Sequence, residues 1–210
     1  MLPESPFLFS SRISVFAEGL NDSVILRDNV HHLANLSAWL KPVAQSESSK
    51  WKRCWRASVD GWAASTFHSG CDNKGPTVTI IRVGGKYICG GYTNLSWGYS
   101  CQYRYDSQAF LFSLVNKPGW TPVKLPQTGK YSYHNVHSIY DCSSYGPTFG
   151  GGHDITIYYS SSSNSYANLG WTYSPPSGYN YGSTFTRTFL AGGSNHYFTP
   201  DEVETFYGTT

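Results

Sequence analysis

The sequence predicts a mostly β protein with short helices, built as two antiparallel sheets packed face to face in a sandwich. Three observations point there. Aromatic residues make up 17% of the 210 residues and charged residues only 13%, a balance that starves long solvent-facing helices and suits pleated, half-buried surfaces. The β-branched run Thr77-Val78-Thr79-Ile80-Ile81-Arg82-Val83 is followed by Gly84-Gly85 and then by Lys86-Tyr87-Ile88-Cys89, the pattern of a two-residue hairpin. Other short runs of this kind recur, each bounded by Gly, Pro, Asn or Ser, and several strands with few helices bury a common face most simply in stacked sheets or a closed barrel.

Taken in order, Leu26, Val30, Leu33, Leu36 and Leu40 recur at spacings of three and four before Pro42, which predicts one amphipathic helix over residues 28–40. A polar connector covers 46–49. Residues 51–57 read as a strand. Its alternation places Trp51, Arg53 and Trp55 on one face and Lys52, Cys54 and Arg56 on the other. The basic letters there match an edge strand guarded by Lys and Arg better than a nucleic-acid surface. A second helix is expected over 61–69, with Gly70 as its C-terminal cap. Further strands are expected at 109–115, 134–140, 155–159, 184–190 and 203–207, and the low-complexity stretches 160–165 and 173–178 are expected to be surface loops.

The formal net charge of +2 is too mild for a polyanion-binding domain. The longest apolar run, 109–115, is far short of a membrane-spanning helix, and Glu4 stands where a signal peptide would want a base. No membrane insertion is expected, and the expected compartment is the cytoplasm. The five cysteines form no C-x-x-C pair and cannot all pair within the chain, so buried, reduced thiols are expected.

Candidate chemistry is sparse. Neither G-x-S-x-G nor a phosphate-binding glycine loop occurs. Phe149-Gly150-Gly151-Gly152-His153-Asp154 runs into a strand rather than a helix, so its glycines are expected to serve close backbone packing. His68-x-x-Cys71-Asp72 offers metal-ligand types without a second pair at zinc-like spacing, and no metal or cofactor is expected. Glu202 and Glu204 share one face of the last strand and read as a solvated pair, since two glycosidase carboxylates must oppose each other across a cleft. Trp97, Tyr99, Tyr103 and Tyr105 are candidates for stacking on sugar rings, although a sandwich core consumes many aromatics. A small-molecule or glycan binder using the aromatic loops 97–105 and 173–181 is therefore one alternative. Another is a redox or enzymatic site at Cys71 with His68 or Asp72.

The ordered motifs carry more. Asp60-Gly61-Trp62, Phe67-His68-x-x-Cys71-Asp72-Asn73-Lys74-Gly75-Pro76-Thr77, Gly90-Gly91-Tyr92 with Trp97, and 109–114 with Phe110 and Phe112 come first. Phe149 through Ile155 with Asp154, Phe189-Leu190-Ala191-Gly192, and 198–207 with Glu202 and Glu204 follow. Together they resemble the TLDc domain, and Ser10-Ser11-Arg12-Ile13 resembles the segment that opens such domains. The resemblance implies a TLDc-like sandwich over 10–207, preceded by an extension 1–9 and followed by a tail 208–210. It implies a role by protein contact in a monomer or weak oligomer, with subunits of the vacuolar proton-pumping ATPase as partners and protection under oxidative stress as the outcome. It supplies no catalytic set.

Overall fold

The computed structural model describes residues 18–43, 50–98, 100–128, 137–158 and 165–209. The segment 10–13, the extension 1–9 and Tyr99 lie outside the described residues. With strands numbered along the chain, the first sheet contains β1 (Lys50–Arg56), β2 (Thr77–Val83), β3 (Tyr87–Thr93), β5 (Phe110–Val115), β6 (Val123–Pro126) and β12 (Pro200–Thr209). Their spatial order is β1-β12-β2-β3-β5-β6. The second contains β4 (Gln102–Arg104), β7 (Ile139–Asp141), β8 (Tyr145–Phe149), β9 (Ile155–Tyr158), β10 (Ser165–Ala167) and β11 (Tyr197–Phe198), in the order β11-β10-β9-β8-β7-β4. All pairings are antiparallel. The helices are α1 (Val30–Leu40), α2 (Ala57–Asp60), α3 (Ala64–Cys71) and α4 (Thr184–Thr188).

Side-chain alternation builds three layers. Ile81, Val83, Leu111 and Val203 of the first sheet meet Ile139, Phe149, Ile155, Ile157 and Phe198 of the second in one buried cluster. The intervening residues Val78, Ile80, Phe110, Phe112, Leu114 and Phe206 point the other way, onto Leu33, Leu36 and Leu40 of α1 and onto Leu20, Ile25 and Leu26. The first sheet is thus covered on both faces. The hairpin forms as predicted: Gly84 and Gly85 have φ of 61° and 65°, both positive as a type I′ turn demands, and β2 and β3 pair in continuous register from Val83↔Tyr87 to Thr77↔Thr93. Helix α1 also matches, with Asn29 Oδ1 accepting from the backbone N–H groups of His31 and His32 at its start.

Four expectations are corrected. In β1 the register slips between Arg53 and Trp55 against β12. This bulge at Cys54 turns the strand, so Trp51 packs with the α1 layer while Trp55 enters the inter-sheet core. The strand is still the sheet edge, with Lys52 and Arg53 exposed. The helix expected over 61–69 is α3, which starts later, at Ala64, and runs on to Cys71; the separate short α2 precedes it and ends at Gly61, where φ is 101°. Gly70 lies inside α3 rather than capping it, because a Cβ there would stand 2.2 Å from the carbonyl oxygen of Cys54. The strand expected at 184–190 is α4. There Ser183 caps Thr186 N–H, and the hydroxyls of Thr186 and Thr188 donate back to the carbonyls of Ser183 and Thr184, local bonds that offset weak helix propensity. Of the strand expected at 134–140, only Ile139 and Tyr140 fall in β7, and 134–136 lie outside the described residues.

The fourth correction concerns the cysteines. Cys54 is bonded to Cys71 and Cys101 to Cys142, leaving Cys89 buried and free. The first disulfide ties β1 to the end of α3, and the second ties the approach to β4 to the end of β7. Burial pushes the Cys89 thiol up to about 12, so it is unreactive while the fold is intact.

Peptide mapping without reductant will recover the 54–71 and 101–142 cross-links, with Cys89 alkylated only after unfolding. With sequence separations of 17 and 41, the two bridges contribute about 3 and about 4 kcal/mol by loop closure. Thermal melts with and without dithiothreitol will show a corresponding fall in Tm.

Candidate functional site

Helix α3 carries His68 and Cys71 into the interior. Both are buried, and the Cys71 sulfur is half of a disulfide, so it is not the free thiol that a redox or nucleophilic centre would need. His68 Nδ1 lies 2.7 Å from Asp72 Oδ1, while Nε2 lies 3.1 Å from the Cys142 carbonyl and 3.0 Å from that of Tyr145. Each ring nitrogen thus has a hydrogen-bond partner. The arrangement fastens α3 to the β7–β8 turn of the second sheet. Asp72 bridges to Trp97 along the backbone, and Trp97, 1% exposed, donates its indole N–H to Thr77 Oγ1 and packs edge-on against Phe67 and Phe149. These residues come together as a core knot. The depression that His153 lines contains none of His68, Cys71 and Asp72.

The glycine-rich turn after β8 is shaped around one carboxylate. Asp154 is fully buried and accepts from Gly170 and Trp171 N–H at Oδ1 and from Thr172 N–H at Oδ2. Gly150, at φ 88°, leaves the space this carboxylate fills: a Cβ would stand 2.0 Å from Asp154 Oδ2. Gly151 and Gly152 lie against the Trp171 side chain. Burial pushes the Asp154 carboxyl up to about 7 against the downward pull of the backbone N–H groups.

Glu202 and Glu204 are not solvated. Glu204, 0% exposed, stands opposite Arg56 in the β1–β12 register and accepts from its Nε at 2.8 Å, with Nη2 at 2.6 Å. Ser23 Oγ donates to its other oxygen at 2.5 Å. Glu202, 5% exposed, accepts from the hydroxyl and backbone N–H of Ser58 in α2 and from Val203 N–H. Burial became possible because partners far away in sequence, Arg56 and Ser23 for Glu204 and Ser58 for Glu202, supply most of the bonds. Of the other motif residues, the Asp60 carboxylate accepts from Arg56 N–H, Trp62 packs against the inter-sheet cluster, and Tyr92, Phe110 and Phe112 lie under α1. Gly75–Pro76 is a cis peptide directly before β2, and Gly90 and Gly91 sit in β3, where Gly91 admits the Phe149 ring.

What reaches solvent is aromatic. Trp120 is 45% exposed and Tyr179 36%, and both rings gather on Phe185, which stacks on Tyr179 at 3.5 Å between centroids and 10° between planes. Phe185 and Trp120 each lie against Phe189, which is fully buried, so the cluster is rooted in the core. The loop that carries Trp120 is clamped on both sides: Asn116 Oδ1 accepts from Trp120 N–H at 2.7 Å, and Asn116 Nδ2 donates to the Trp120 carbonyl at 3.1 Å. Sequence reasoning named the loop 173–181 that carries Tyr179 but overlooked Trp120 and Phe185. The available signal was a tryptophan directly after Pro118-Gly119, outside any strand pattern. Of the aromatic-loop residues expected to meet a ligand, Trp97 and Tyr173 are in the core, whereas Tyr103 and Tyr105 are exposed. Among the described residues, no group of three or more His, Cys, Asp or Glu could hold a metal ion, and no helix is long and apolar enough to cross a membrane.

Comparison with known families matches the TLDc domain over residues 21–207. Among individual proteins, the MTOR-associated protein MEAK7 of Danio rerio is 30% identical over 80 residues, 38% of this chain and 18% of that protein. The protein of the same name from Gallus gallus is 29% identical over 93 residues, 43% of this chain and 18% of that protein. The match therefore spans less than a fifth of either relative, at 18% of each.

Two outcomes follow from the buried carboxylates. Glu204→Ala strands the Arg56 guanidinium and will lower the unfolding free energy by about 3–5 kcal/mol in urea titrations. For Asp154, the folded carboxyl holds its proton up to about pH 7 while the unfolded one releases it near pH 4. Its contribution is therefore complete below the unfolded value and disappears as pH rises through the folded one. Across that window the stability of the wild type relative to Asp154→Asn will fall, at most by about 1.4 kcal/mol per pH unit, and then level off.

Proposed function

Because the chain belongs to the TLDc domain family, we propose that it acts as an interaction module, recognising a protein partner through its surface rather than transforming a substrate. The observation that carries this reading is the Trp120–Tyr179–Phe185 cluster. A large exposed aromatic costs little conformational entropy to bury when its backbone is already held, and Trp120 is held at both N–H and carbonyl. Trp and Tyr are also the side chains that most often dominate the energetics of protein interfaces.

The His68–Asp72 pair and the Cys54–Cys71 bridge support the same reading from the other side. Groups that would have to be free for nucleophilic or redox chemistry are engaged in joining α3 to both sheets. The partner we propose is a subunit of the vacuolar proton-pumping ATPase, with protection under oxidative stress as the consequence. The curated relatives are described by association with MTOR. Those proteins are far longer than the matched stretch, and for this chain the description supports only a place in a protein assembly.

Immobilised wild-type protein is expected to retain pump subunits from a eukaryotic lysate, identified by mass spectrometry. Trp120→Ala, with an unchanged circular-dichroism spectrum, is expected to retain at least tenfold less. Retention by another TLDc domain but not by this one would remove the partner, and equal retention by Trp120→Ala would remove the surface.

A further inference from the structure

Among the described residues, the second sheet packs on one face only, and its other face carries one tyrosine on every strand. Tyr103 lies on β4, Tyr140 on β7, Tyr145 on β8, Tyr158 on β9, Tyr166 on β10 and Tyr197 on β11. Strand register pairs them as Tyr103↔Tyr140, Tyr145↔Tyr158 and Tyr166↔Tyr197, with ring centroids 4.8, 5.4 and 5.8 Å apart. The strand neighbours Ile139, Ile157, Ala167 and Phe198 point into the core, which fixes Tyr140, Tyr158, Tyr166 and Tyr197 outward by the period of the strand, and Tyr103 and Tyr145 share that face as their cross-strand partners. His153, in a left-handed conformation at φ 52°, sets its imidazole 5.5 Å from both the Tyr140 and the Tyr145 ring.

We propose that this tyrosine row is a binding site for a neutral saccharide chain laid across the strands. Between Tyr145, Tyr158, Tyr166 and Tyr197 lies an open depression of about 330 Å³, walled otherwise by Gly152, His153 and Thr156. That volume is within the usual range for ligand sites. Among the described residues, no wall residue is a lysine or arginine, so phosphate and carboxylate ligands find no counter-charge there. None is an aspartate or glutamate, so an ammonium ligand finds none either. Burial also lowers the proton affinity of His153, which leaves the imidazole uncharged at neutral pH. The walls offer flat π-faces with phenol, imidazole and threonine groups at their rims. That is the complement of a molecule with an apolar C–H face and hydroxyls around its edge. Its openness and sheet-wide extent suit a chain of rings better than one enclosed group.

This site is separate from the Trp120 cluster, so the two can be tested independently. The full chain, carrying ¹³C-labelled tyrosine, is titrated with chitohexaose, cellohexaose and laminarihexaose and followed by aromatic NMR, with tetramethylammonium chloride as the competing probe. At least one hexasaccharide is expected to shift the Tyr145, Tyr158, Tyr166 and Tyr197 signals saturably. Tyr197→Ala is expected to weaken that binding about tenfold, whereas Tyr197→Phe keeps the ring and holds it within a few fold, which separates stacking from misfolding. No shift from any of the three sugars, shifts from tetramethylammonium alone, or shifts that depend only on protein concentration and so report a second copy on this face, would each overturn the proposal. Equal affinity of Tyr197→Ala would do the same.

Discussion

The architecture depends on the first sheet having no free face. Its six strands lie between the α1 layer and the second sheet, so every apolar position on both sides is consumed by packing. The second sheet pairs one face with the first, and among the described residues nothing of comparable extent covers the other. This asymmetry sorts the aromatic residues. Most of the rings in the two cores are Phe and Trp, joined by Tyr92 and Tyr173, whereas six other tyrosines, each bringing an apolar body and a polar tip, take the outer face of the second sheet. A tyrosine-rich sequence and a one-sided sheet are the same fact seen at two levels.

Polar groups hold the layers where apolar contacts alone would slide. Glu204 joins the Ser23 turn, the β1 edge and β12 through a fully buried carboxylate. His68 joins α3 to the opposite sheet through two backbone carbonyls, and Asp154 closes the glycine-rich turn onto the loop at 170–172. Each is a buried group with two or more of its hydrogen bonds supplied from another part of the chain. Such groups oppose alternative packings, because a shifted layer would leave them unpaired at a cost of a few kcal/mol.

Some of this was legible in the sequence and some was not, for physical reasons. The β2–β3 hairpin and α1 were readable because each is decided by a local period and a local turn or cap. The bulge at Cys54 was not, since strict alternation assumes an uninterrupted pleat. Helix α4 was misread because Thr and Phe favour strands on average, while its hydroxyl-to-carbonyl bonds exist only once the turn has formed. The disulfide pairing, and the burial of Glu204 against an arginine 148 residues away, are properties of three-dimensional neighbours. Family resemblance located the motif residues. It did not show that Cys71 is bridged or that Trp120 and the tyrosine row are what the surface presents.

One topological detail bears on how the chain is made. β12 does not extend an edge; it is inserted between β1 and β2. While residues 200–209 are still inside the ribosome, β1 has no partner in its sheet and the β-branched strand β2 exposes one unpaired side. A nascent chain in that state offers a ready template for pairing with other copies.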